Sequence, residues 1–453
     1  MAPPARADRT RTYDKREVFA WSMYDFANSS FTTLVVTFIY AAFFTKAIAP
    51  DEITGTALWS RAVSITAVAV ALLSPVMGAI ADRGGYRKLF LFACTAVCVV
   101  ATAALYLPRP HAALAEEGLG DQTTLALVLF VAANVAFEMG SVFYNAFLPD
   151  IAPPDRIGRV SGYGWSFGYV GGLGCMVLAF VGFVFPETPW FGLTAEAGQS
   201  IRGTNLLVAL WFALFSVPFF LWVKEDRTRA EPGRRGVIVA SFRQLADTFR
   251  ALRPHRQVVR LLLARLIYND GLVTIFAFGG IYAGVTFGFD FDEIVIFGIV
   301  LNVTAGIGAF LMGFLDDRIG GRRTILITLA GLAVASLMAL FAPSKAVFWG
   351  AGVLVGIFSG PNQAASRSLL GRFVPRDKES EFFGFFAFSG KATAFLGPLL
   401  FGLLTETFGT QRAGIGAVLL FFVVGAVLLL RVDEEEGARL AKAPEDGFGE
   451  GAS

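Results

Sequence analysis

Apolar runs of about twenty residues recur from one end of this chain to the other, each long enough to cross the hydrocarbon core of a bilayer. A soluble chain of 453 residues would fold as two or three domains. Here only 16% of residues are charged, 55% are apolar, and 46 are Phe. Reading the apolar windows predicts an all-α integral membrane protein. Its twelve helices fall at 18–45, 57–81, 89–107, 123–148, 160–185 and 204–223, then 259–286, 292–315, 324–342, 346–371, 381–405 and 411–431. A basic stretch separates the two sets of six, so the expected organisation is two six-helix bundles (18–223 and 259–431), a linker (224–258) and two tails (1–17 and 432–453).

Cationic side chains are retained on the cytoplasmic face. With the N-terminus inside, the inner segments hold about 29 of the 38 Lys and Arg. Both termini are therefore expected in the cytoplasm. The first seventeen residues carry five basic side chains and lack the form of a signal peptide, so the first helix is read as retained. In the linker, Ile238, Phe242, Leu245, Phe249 and Leu252 recur at helical spacing beside Arg243, Arg250 and Arg253. That pattern predicts a basic amphipathic helix lying on the inner leaflet.

A loop is repeated at matching places in the two halves. Gly78 to Lys88 reads GAIADRGGYRK and Gly313 to Arg323 reads GFLDDRIGGRR. Both fit G-x-x-x-D-R-x-G-x-[RK]-[RK], through Gly78, Asp82, Arg83, Gly85, Arg87 and Lys88, and through Gly313, Asp317, Arg318, Gly320, Arg322 and Arg323. The first glycine permits close helix approach, the aspartate suits a neighbouring helix N-terminus, and the basic pair suits an anionic leaflet. A second echo pairs PPDRIGRVSGYGWSFG with VPRDKESEFFGFFAFSG. Gly164, Gly168 and Gly172 in the fifth helix, and separately Gly298, Asn302 and Gly306 in the eighth, form small-residue faces that pack backbones closely.

The repeated loop resembles the signature of the major facilitator superfamily. WSMYDFANSSF, LPDIAPPDRIGRVSGYGWSFGYVGG, YNDG, SRSLLGRFVP and EFFGFFAFSGKATAFLGPLLFG narrow the resemblance to the branch of autophagy-related vacuolar amino-acid effluxers and their bacterial relatives. The resemblance implies two pseudo-symmetric six-helix bundles (the major facilitator fold), alternating access, and a cytoplasmic gate latched through Asp82, Arg83, Asp317 and Arg318. It also implies a bacterial inner membrane, and it places the fifth and eighth helices together between the halves, where their glycine faces are expected to meet. One departure is Pro361 after Gly360, expected to bend the tenth helix.

Ionisable groups at mid-bilayer are expensive and usually face a partner or a cavity. This chain has Asp25, Glu138, Arg265, Asp270, Arg367 and Lys391. Asn134, Glu138, Ser141 and Asn145 form one polar stripe at helical spacing. Asp25, Asn28, Ser29 and Thr32 form another, as do Ser359, Gln363 and Arg367, and Arg265 with Asn269 beside Asp270. These groups are candidates for binding a solute or a proton. Structural ion pairs and snorkelling side chains give the same pattern. Three acids and three bases would suit a zwitterion such as an amino acid. Glu138, or failing that Asp25, is the first candidate for proton coupling.

Other classes fare worse. No GxxxxGK[ST] loop is present for an ATP-driven pump. A membrane-embedded enzyme would need a metal or nucleophile cluster, and the two histidines both lie between helices, which argues against one. Three cysteines without a CxxC pair indicate neither a disulfide framework nor a metal site. No cofactor and no nucleic-acid partner is expected, since the net charge is only +2. The expected partners are a small solute, a proton or other coupling ion, and membrane lipid, with the chain a monomer. A lipid or lysolipid flippase and a channel remain alternatives on the same fold.

Overall fold

A computed structural model describes residues 13–110, 122–194, 196–225, 255–375 and 378–441. The long helices are α1 (Lys15–Ile48), α2 (Glu52–Gly84), α3 (Arg87–Ala104), α4 (Gln122–Ala146), α5 (Ile157–Val184) and α6 (Gln199–Trp222). They continue as α7 (Arg256–Phe287), α8 (Phe291–Ile319), α9 (Gly321–Phe341), α10 (Lys345–Phe373), α11 (Glu379–Phe408) and α12 (Gln411–Leu429). A short α13 (Glu434–Leu440) follows. Eleven of the twelve long elements are apolar enough to span a membrane. The remaining one, α10, has the length, and its SGPNQAASRS stretch lowers its hydropathy. The predicted amphipathic linker helix lies outside the described residues, as do most of the N-terminal tail and the end of the C-terminal one.

Local chemistry sets the helix ends. Asp51 accepts the Ile53 and Thr54 amides at 3.0 and 2.9 Å to start α2, and Gly85 ends it at φ 63°, a left-handed position open to glycine. Asp290 and Glu293 close a capping box on α8. Two elements depart from plain α-helix. α1 passes through π-helical turns at Phe31–Phe38 and Phe44–Ile48. α11, predicted as one span, is broken into Glu379–Lys391 and Leu396–Phe408. α10 runs unbroken through Pro361.

Two apolar cores form. One gathers side chains from Val18 to Val223. The other gathers side chains from Val258 to Val432, with only Val142 and Ala146 contributed by the first half. Leu72, Val100, Leu210, Leu221 and Leu311 are each 60% or more exposed. Such a surface would be a liability in water and is ordinary in lipid.

The expected use of the glycine face on α5 is corrected by the packing. Cβ atoms at Gly164, Gly168 and Gly172 would meet Asp25 Oδ2, Ser29 Oγ and Thr33 Oγ1 of α1 at 2.6, 2.7 and 2.5 Å. That ridge therefore seats α1. The α5–α8 contact is made lower down, at Gly158 and Gly162 against Asp316, Ala309 and Gly313, and through Ser166, whose hydroxyl donates to the Gly306 carbonyl at 2.8 Å. A periodic glycine stripe reports that something packs closely, but not which helix.

Candidate functional site: charge pairs and aspartate caps between the halves

The two signature loops are used alike. Asp82, at the end of α2, accepts the amides of Ser380 and Glu381 at 3.0 and 2.8 Å, at the start of α11. Asp317, at the end of α8, accepts the amides of Gly158 and Arg159 at 2.8 and 3.3 Å, at the start of α5. Each carboxylate thus caps a helix from the opposite half, where orphan N–H groups and the helix dipole favour negative charge. Glycine brings the backbones close enough. A Cβ on Gly78 would overlap the Ser380 carbonyl, and one on Gly313 would lie 3.0 Å from the Arg159 Cα. A Cβ on Gly384, which aligns with Gly162 in the second repeat, would collide with the backbone of Ser74. The Ser74 hydroxyl donates to the Gly384 carbonyl at 3.0 Å.

The cations around these caps differ between the halves. Arg87 of α3 reaches Asp150 at 3.0 Å, Glu379 at 3.7 Å and Asp82 at 3.8 Å. In the other half, Arg372 of α10 reaches Asp316 at 2.7 Å, Glu434 at 3.5 Å and Asp317 at 3.8 Å. Asp150, just beyond α4, and Arg372, at the end of α10, hold matching places in the repeat with opposite charges. Arg159 also pairs with Asp317. Of the other loop residues, Arg322 donates to the Leu430 carbonyl at 2.8 Å and Lys88 to the Val223 carbonyl at 2.6 Å. Gly320 takes φ 91°. Arg83, Arg318 and Arg323 are exposed, and among the described ion pairs the cations placed against the caps are Arg87, Arg159 and Arg372.

Deeper in the bundle, two charge pairs join the halves. Arg367 of α10 is 4% exposed. It donates to Asp25 at 3.1 Å, Asn145 at 3.0 Å, the Ser161 hydroxyl at 2.9 Å and the Ser161 carbonyl at 2.8 Å. Its guanidinium lies 4.7 Å from the Trp21 ring centroid, and Trp21 stacks on Tyr144 at 4.7 Å. This planar, fully occupied environment suits arginine and not lysine. The second pair is Lys391 of α11 with Glu138 of α4, at 2.7 Å.

The other predicted residues fall around these pairs. Arg265 of α7 donates to the Phe386 carbonyl at 2.7 Å and to Ser389 at 3.0 Å, with its guanidinium 3.6 Å from the Phe386 ring centroid. Asn269 donates to the Gly390 carbonyl at 3.2 Å and accepts from Gln363 at 3.3 Å. Asp270 is buried against the break in α11. Asn28 and Asn134 are buried on α1 and α4 and join neither ion pair. Sequence reasoning passed over Trp21, Tyr144, Ser161, Asp150, Asp316, Arg372, Glu379 and Glu434. Several sit inside motifs already singled out, where an apolar or loop-end setting hid their partners.

This arrangement defines a class: a major facilitator transporter, with two helical halves meeting at charge pairs and reciprocal aspartate caps. The backbone is similar to that of the proton:xylose symporter XylE bound to 6-bromo-6-deoxy-D-glucose, with a TM-score of 0.71 at 11% identity, covering 95% of this chain and 98% of that one. The chain belongs to the family described as "Vacuole effluxer Atg22 like", which matches residues 47–442. An uncharacterised MFS-type transporter of Bacillus subtilis, YxiO, is 27% identical over 94% of this chain and 97% of its own length. Autophagy-related protein 22-1 of Penicillium rubens is 22% identical over 85% of this chain and 76% of its own length.

Proposed function

We propose that this membrane transporter is a secondary carrier that moves a small polar solute, an amino acid or similar zwitterion, by alternating access coupled to a cation. The observation that carries the reading is the cross-half pairing of Arg367 with Asp25 and of Lys391 with Glu138. A charge pair at membrane depth that loses one partner leaves an uncompensated charge. The halves therefore separate at this level only when something else satisfies these groups. A solute carrying both a carboxylate and an ammonium is chemically suited to do so, with Arg367 and Lys391 taking the first and Asp25 and Glu138 the second. In this reading Glu138 and Asp25 answer to the solute, and Asn145, Asn269 and Gln363 orient it.

The aspartate caps hold one end shut in the present state. With both termini cytoplasmic, as the distribution of Lys and Arg supports, that end is the inner gate of a bacterial inner-membrane protein acting as a monomer. The description of the family as effluxers favours export.

The test is a screen of amino acids, short peptides and other small polar metabolites, by thermal shift and then by flux in proteoliposomes. The expected result is saturable flux of one solute class, lost in Arg367→Ala and Lys391→Ala. Ohmic, non-saturating current would replace the carrier with a channel, and lipid scrambling without solute flux would replace it with a flippase.

A further inference from the structure

Asp270 differs from every other carboxylate in the deep part of the bundle. It is 1% exposed, and its Oδ2 has no hydrogen-bond partner. The charged and titratable groups that the surrounding elements carry at this depth are engaged elsewhere. On α7, Arg265 is held by Phe386 and Ser389, and the Tyr268 hydroxyl lies 2.8 Å from that of Ser366. On α10 Arg367 is paired with Asp25, and on α11 Lys391 with Glu138. On α12 Arg412 donates to the Ala342 carbonyl at 2.7 Å. α8 carries no ionisable side chain between Glu293 and Asp316.

What faces Asp270 is the break in α11. A Cβ on Gly397 would lie 2.7 Å from the Asp270 carbonyl oxygen, so the two helices touch there through glycine. The break leaves backbone oxygens without their helical donors. Leu396 donates to the Thr393 carbonyl at 2.7 Å in place of that of Ala392. Pro398 has no N–H for the carbonyl of Ala394. The Thr393 hydroxyl is a hydrogen-bond neighbour of the Asp270 carboxylate and donates to the Leu266 carbonyl at 3.2 Å. While it donates to Leu266, its lone pair is open to a cation bound at Asp270. A buried carboxylate beside a hydroxyl and an interrupted helix at membrane depth, with no cationic side chain paired to it among the described residues, has the chemistry of sites in which transporters hold H⁺ or Na⁺.

We propose that Asp270, with the Thr393 hydroxyl and the carbonyls released at the α11 break, binds the coupling cation, a proton or a sodium ion. The site lies in the second half, one turn of α7 away from Arg265, and Arg265 with Asn269 grips the α11 segment just before the break. Cation binding thus acts on the same stretch of α11 that carries Lys391, which links it to the Glu138 pair. The inference rests on the reading of the chain as an ion-coupled carrier, but its test needs no transported solute.

Full-length protein in lipid nanodiscs is measured in two arms, wild type against Asp270→Asn. In the first, thermal unfolding is compared in sodium chloride and choline chloride. In the second, with choline as the only salt cation, the infrared carboxyl band is followed as pH is varied. The expected result is an upward sodium-specific shift or a titrating buried carboxyl band in the wild type, absent from Asp270→Asn. The first arm responding identifies sodium, and the second alone identifies the proton. Thr393→Ala is expected to retain the response with a displaced midpoint, and it carries the test should Asp270→Asn fail to fold. Neither response in the wild type, an unaltered response in Asp270→Asn, or an undisplaced midpoint in Thr393→Ala overturns the site. A solute screen without hits leaves these responses unchanged, so the two readings fail separately.

Discussion

The Lys391 ammonium of α11 lies 2.7 Å from the Glu138 carboxylate of α4, and the two residues come from opposite halves of the chain. Neither has another charged partner among the ion pairs of the described residues. Each is therefore the other's main source of neutralisation in a region where isolated charge is expensive.

That dependence predicts strong coupling. Glu138→Gln and Lys391→Met are each expected to lower stability, and the double variant is expected to recover most of the loss. The interaction energy should be about 1–3 kcal/mol. A double-mutant cycle on thermal unfolding in nanodiscs measures it. Additive effects would mean that the pair is not coupled in the folded protein.

Arg367→Lys is expected to behave as a severe change. Lysine cannot reproduce the simultaneous contacts to Asp25, Asn145 and Ser161, nor the stacking against Trp21. Loss of transport by roughly tenfold or more is expected, corresponding to at least about 1.4 kcal/mol. Initial rates of flux for a solute identified in the screen provide the measurement. Near-normal rates would show that charge alone suffices at this position.

The reciprocal caps give a prediction about the gate. Asp82→Ala or Asp317→Ala removes the acceptor for two buried amides at a helix start, a loss of about 1–2 kcal/mol. In the proposed cycle only the closed state makes these contacts, so the population should shift toward opening at this end. Spin labels on either side of that end should then report longer distances in both variants, and an unchanged distance distribution would contradict the assignment.

Two glycines offer a matched steric pair. Gly78→Ala places a Cβ into the Ser380 carbonyl, whereas Gly402→Ala meets nothing within 4 Å. The first is expected to open or destabilise the same end, and the second to be neutral or slightly stabilising, since alanine raises helix propensity by up to about 1 kcal/mol. Thermal unfolding of both variants in nanodiscs decides between these outcomes.

Much of the architecture was legible in the residues. Apolar length marks each span because a backbone in lipid must satisfy its own hydrogen bonds, and this constraint is local. The paired loops marked the repeat, and the spacing of Asp82 and Asp317 after their glycines anticipated where carboxylates meet helix starts. The scarcity of buried charge drew attention to Asp25, Glu138, Arg265, Asp270, Arg367 and Lys391 before any contact was known.

Partnership was not legible. Arg367 and Asp25 stand 342 residues apart, and no local rule joins them. Nothing in the local sequence joins Asp150 and Glu379 to Arg87, or Arg372 to Asp316. The glycine stripe of α5 announced close packing, but only the assembled bundle assigned it to α1. The break in α11 was also hidden, because Pro398 and Gly397 are tolerated in many spanning helices. Composition and periodicity act along the chain and determine the spans. Which charges neutralise one another depends on distances across the bundle, and those are decided only when the two halves meet.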